Sequence, residues 1–117
     1  MKVKRIEHIA IAVKSMKKFG RFLENDLDIK MEYEEELPKY CTKLAMYPVG
    51  DTYIELLESD HPETETSEWI EKHGEGLFHI CLEVEDIDEA LEYLATQNKD
   101  YKSVKKGSKS KDGDKII

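Results

Sequence analysis

The phrase EHIAIAV at Glu7–Val13 returns as FHICLEV at Phe78–Val84, with a histidine in the same position of each copy. Shifting the chain by 71 positions lays His8 on His79, Ile9 on Ile80, Val13 on Val84, Met16 on Ile87 and Leu23 on Leu94. A repeat of that length implies two similar supersecondary modules. Alternation in the first copy puts Ile9, Ile11 and Val13 on one strand face and His8, Ala10 and Ala12 on the other. In the second copy Ile80, Leu82 and Val84 form the corresponding apolar face.

Each strand leads into an amphipathic helix. Met16, Phe19, Phe22, Leu23 and Leu27 recur at helical spacing behind Ser15 as N-cap; Ile87, Ala90, Leu91 and Leu94 recur behind Asp86. Three strand-like runs follow the first helix, KMEYEEEL, CTKLAMYPV and DTYIELLE, the last two joined by a turn at VGD. One module is therefore β-α-β-β-β. The segment TSEWIEKHGEG predicts a linking helix capped by Thr66 or Ser67 and stopped at Gly74. The second module repeats strand and helix, and YKSVKKGS and DGDKII begin only two further strands; the equivalent of Glu55 would fall at position 126, past Ile117. The expectation is a single α+β domain, with module one about 1–60, the linker helix about 64–74 and module two about 76–117, its last strand lacking.

A length of 117 residues with 39% apolar content suits one soluble core. No run approaches the roughly 20 apolar residues of a membrane span, and the charged start enters a strand pattern directly, so a cytoplasmic protein without membrane association is expected. Cys41 and Cys81 lack metal or redox spacing and read as buried thiols. The net charge of −8, with no basic helical stripe, argues against a nucleic-acid partner. Against that balance, seven lysines and three aspartates between Lys99 and Lys115 give a local +4. This stretch reads either as a solvated loop or as a rim attracting an anionic small molecule, with Lys105 and Lys106 as its candidate contacts.

Either histidine alone reads as a strand-end residue. As equivalents in paired modules they should lie close together, facing away from the helix-packing side, where Ala10 and Ala12 leave room for a cavity. By alternation Glu55 shares a face of its strand with Tyr53 and Leu57, whereas Glu58 faces the other way. Two imidazoles and a carboxylate without a thiolate suit a divalent first-row ion, so His8, Glu55 and His79 are the candidate ligands, with Co, Mn, Ni, Zn or Fe all compatible. The alternative is that Glu55 is simply solvated. His61 sits in a loop, and His73 at a helix end suits the carbonyl dipole.

The phrases IEHIAIAV, PVGDTYIELLE and WIEKHGEGLFHICLEVEDIDEAL, with the lysine-bearing stretch before DGDKII, resemble the vicinal oxygen chelate superfamily (glyoxalase, bleomycin resistance, dioxygenase), and within it the methylmalonyl-CoA epimerase branch. The resemblance implies paired βαβββ modules forming a U-shaped mixed sheet around a divalent ion. It places the family's metal ligands on His8, Glu55 and His79, and a fourth, a glutamate of the final strand, beyond Ile117. It also implies a homodimer acting on an acyl-CoA or similar thioester by metal-stabilised enolate chemistry and proton transfer. The family's third-strand base has no counterpart, because CTKLAMY contains no carboxylate. Glu83, four residues after His79 and so on the same strand face, is a candidate substitute base, its plainer reading a solvated strand-end glutamate; Lys43 is a candidate contact for an anionic substrate, its plainer reading an exposed sheet lysine. Alternatives are a lactoylglutathione lyase using the same ion, and a non-catalytic small-ligand-binding protein of this fold.

Overall fold

The computed structural model describes residues 1–97. Its strands are β1 (Val3–Ala12), β2 (Tyr33–Leu37), β3 (Thr42–Val49), β4 (Thr52–Ser59) and β5 (Gly76–Val84). Its helices are α1 (Met16–Arg21), α2 (Glu65–His73) and α3 (Ile87–Gln97). The strands form one mixed sheet in the order β2-β3-β4-β1-β5, an α+β fold. β1 runs parallel to β4, and β3 is antiparallel to both β2 and β4. The strand starts at YKSVKKGS and DGDKII lie outside the described residues, as do Lys105 and Lys106. Among the described residues no helix is long and apolar enough to cross a membrane.

Two compact units divide the chain, one of Met1–Glu7 with the segment from Cys81 onward, the other His8–Ile80. The division runs through β1 and β5. In the larger unit the β1 alternation holds: Val13 is buried with Leu23, Ala45, Tyr47 and Leu56, and Ile11, Met16 and Phe19 pack around them. Ala10 belongs to the opposite face, buried with Leu44, Met46, Tyr53 and Leu57. Cross-strand register ties these faces together, because Ala10 lies beside Glu55 on β4 and Glu55 beside Met46 on β3.

The first helix departs from simple periodicity. Ser15 caps it, its hydroxyl accepting from the Lys18 amide at 3.1 Å, and Glu58 Oε1 accepts from the Met16 amide at 3.0 Å. From Phe22 to Asp26 the helix widens into a π turn. Leu23 in this turn is buried, whereas Phe22 and Leu27, expected on the same apolar face, are exposed. Gly20 is buried in α1 where a Cβ would strike the Tyr47 hydroxyl. The VGD turn is present, with Val49 paired to Thr52 and Gly50 at φ +60°.

The linking helix differs from expectation in its capping residue. Thr64, not Thr66 or Ser67, is its cap, accepting from the Ser67 amide at 3.0 Å; Gly74 ends it at φ +82° as anticipated. In the smaller unit Asp86 Oδ1 accepts from the amides of Asp88 and Glu89 at 3.0 and 3.1 Å, starting α3 as its sequence predicts. Val84, Ile87 and Ala90 form that unit's apolar cluster, against which Leu91 packs. In the larger unit Ile80 is 54% exposed, against expectation. It lies on β5, the last strand in the described sheet order. Neither cysteine forms a disulfide; Cys81 is buried and Cys41 only half-buried.

Candidate metal centre

β1 and β5 deliver His8 and His79 to one point of the larger unit, with Nε2 of one ring 3.2 Å from Nε2 of the other. The rings meet edge to face, their centroids 5.3 Å apart. β4 adds Glu55, whose Oε1 lies 3.5 Å from His8 Nε2. The three potential donor atoms all fall within 4.8 Å of one another. The alternation of β4 explains the contribution of Glu55, since Glu58 emerges on the opposite face and is engaged by the Met16 amide.

His8 and Glu55 are only 7% and 8% exposed, whereas His79 is exposed. Glu55 is therefore not a solvated sheet residue. Withdrawn from water, the carboxylate and the imidazole face each other. First-row bonds of about 2.0–2.2 Å place neighbouring donors of one ion about 2.8–3.6 Å apart, from right-angled to tetrahedral geometry. The distances of 3.2 and 3.5 Å lie at that spacing, and a donor set of two nitrogens and one oxygen suits a divalent ion. The residues present thus fit such an ion.

Aromatic contacts orient the exposed member of the group. Trp69 of α2 stacks on His73 with centroids 4.1 Å apart and meets Phe78 at 5.4 Å; Phe78 in turn lies 5.2 Å from His79. Phe78 also packs on the cluster containing Ala10, Leu44 and Tyr53. Ala10, where the sequence suggested room for a cavity, is itself fully buried among these large side chains. Tyr53, register neighbour of His8, donates its hydroxyl to Glu32 Oε2 at 2.7 Å. Spacing could not flag the Trp69–Phe78 contact or the Tyr53–Glu32 bond, since both join separate elements.

The remaining candidates lie elsewhere. Lys43 pairs in register with Glu58, on the sheet face turned away from Glu55. Glu83 is in the smaller unit, 2% exposed rather than solvated, and Oε1 accepts from Arg5 Nε at 2.9 Å. His61 stays in its loop, where Nδ1 accepts from the Glu63 amide at 3.2 Å.

Comparison with known proteins gives a consistent kinship. The uncharacterized protein YqjC of Bacillus subtilis is 31% identical over 94 residues, covering 80% of this chain and 67% of that protein. Human mitochondrial methylmalonyl-CoA epimerase is 30% identical over 88 residues, covering 74% of this chain; the chain spans 50% of that enzyme's length. The fold matches a Streptomyces coelicolor methylmalonyl-CoA epimerase, solved with 2-nitronate-propionyl-CoA, at a TM-score of 0.76 and 23% identity over 95% of this chain and 81% of that one. Residues 7–117 match the family model of the Glyoxalase/Bleomycin resistance protein/Dioxygenase superfamily, and to that superfamily the chain belongs.

Proposed function

We propose that this protein is a metal-dependent epimerase of an acyl-CoA thioester of the methylmalonyl-CoA type, with His8, Glu55 and His79 holding the ion. The observation that carries the reading is the convergence of two imidazole nitrogens and one carboxylate oxygen within 4.8 Å on the sheet. The kinship with the human epimerase and the fold shared with the Streptomyces enzyme support it.

A divalent ion bound there supplies Lewis-acid stabilisation of the negative charge that develops on a thioester oxygen as the neighbouring carbon loses its proton. The chain's own residues prepare that environment. Glu55 and His8, nearly buried, lie beside Leu44, Met46 and Tyr53, which keep water from one side of the site. Phe78 and Trp69 limit the swing of His79. For proton transfer, Glu83 remains the proposed base from the sequence; its carboxylate is engaged by Arg5, so a transfer role requires that contact to open. Lys105 and Lys106 are proposed to meet the CoA phosphates, and the working form is proposed to be a cytoplasmic homodimer. Lys43, on the opposite sheet face, suits that anion-binding role less well.

The absence of a carboxylate on β3 favours a second reading, a binding protein of this fold that holds a small ligand without moving a proton. Metal-loaded protein incubated with a single epimer of methylmalonyl-CoA in deuterium oxide separates the two. The epimerase reading expects racemisation with deuterium appearing at the acidic carbon. Ligand binding with neither change would defeat it.

A further inference from the structure

On the sheet face away from His8, Glu55 and His79, a cleft of about 680 Å³ opens between α1 and the β2–β3 hairpin. Tyr47 forms part of its wall and is 4% exposed. Among the described residues its hydroxyl has no hydrogen-bond partner, yet no fully buried polar side-chain atom there lacks one. The hydroxyl lies against Gly20, and both residues line the cleft. Glu24 and Glu34 flank the phenol; together with burial, the larger cause, they hold its pKa above the ordinary tyrosine value. Five glutamates and three basic side chains, Lys17, Arg21 and Lys43, line the cleft. One of the five, Glu58, is engaged by the Met16 amide. The surface beside the hydroxyl is negative, and Met16 and Met31 give it an apolar border.

An anion would meet repulsion at Tyr47, whereas the exposed carboxylates of Glu24, Glu34, Glu35 and Glu36 along the cleft favour a cation. We infer that this cleft binds a small aliphatic diammonium ion, of the diamine or polyamine class. One ammonium group donates to the Tyr47 hydroxyl between Glu24 and Glu34, and the hydrocarbon lies along the methionines. The protein's net charge of −8 draws such a cation in. The site is separate from the proposed metal centre and does not depend on the epimerase reading.

The test is calorimetric titration of the full chain with 1,6-diaminohexane at low ionic strength, with hexan-1-ol and hexanoate as neutral and anionic probes. The diamine should saturate at one equivalent, and neither control should bind. Tyr47→Phe and Glu34→Gln should each weaken the diamine by about threefold to tenfold, the effect of one hydrogen bond or ion contact. Circular dichroism checks the fold of each variant; Glu34 lies on an exposed strand, so its variant carries the test if Tyr47→Phe is unstable. No saturable diamine binding would overturn the inference. So would equal affinity in wild type and the folded variants, the mark of attraction to overall charge, or tighter binding of hexanoate.

Discussion

His8 and Glu55 show how one strand position decides a side chain's circumstances. Each is nearly buried, while Ile11 and Glu58 of the same strands serve the helix-packing face. That division was legible in the sequence, because the offset of 71 pairs His8 with His79 and period-2 alternation sets Glu55 on the opposite strand face from Glu58. Tyr47 was not legible in the same way. Its burial, and its closeness to Glu24 and Glu34, arise only when β3 meets α1 and β2. The consequence is a dependence of stability on alkaline pH. Tyr47 has its pKa raised in the folded state, so below the ordinary value of about 10 both states are neutral and nothing is lost. Above it the unfolded chain ionises first, and stability falls as pH rises toward the folded value. Chemical denaturation between pH 9 and 11 should show a shallower decline for Tyr47→Phe than for wild type; identical slopes would contradict the assignment.

At the level of elements, the strands and the start of α3 follow their sequence signals closely, whereas α1 and α2 show where such signals stop. Thr64, Thr66 and Ser67 all have capping side chains, and the choice of Thr64 depends on its hydroxyl reaching the Ser67 amide. The π turn at Phe22–Asp26 leaves no periodic mark strong enough to predict. Gly20 is intelligible only through Tyr47, whose hydroxyl occupies the space a side chain would need. Gly20→Ala gains about 1 kcal/mol of helix propensity but overpacks, at a cost of about 1–3 kcal/mol. The single substitution should therefore lower stability by up to about 2 kcal/mol in urea unfolding. In a Tyr47→Phe background the nearest remaining ring carbon lies 3.5 Å from the new Cβ, an ordinary contact, and the same change should stabilise. Equal effects in both backgrounds would refute the steric account.

For the molecule as a whole, the repeat in the sequence becomes a mixed five-stranded sheet in which β1 and β4 lie side by side and β5 flanks β1. The superfamily and the mixed α+β sheet are those that the resemblance of the sequence's phrases implied, whereas the strand order depends on pairings that the repeat alone does not specify. The sequence did not foretell the division of the chain into units within β1 and β5, since that depends on which contacts close. The central claim concerns the point where residues 71 positions apart meet. An ion held by His8, Glu55 and His79 would bind only the folded protein, adding about 2.7 kcal/mol of stability at a free concentration a hundredfold above its Kd. The most direct measurement is metal content and thermal unfolding of wild type beside His8→Ala/His79→Ala, with and without added divalent ions. The account predicts one ion per chain and a rise in Tm in wild type, both abolished in the double variant. A wild-type protein that binds no ion, or a double variant that binds as well, would contradict it.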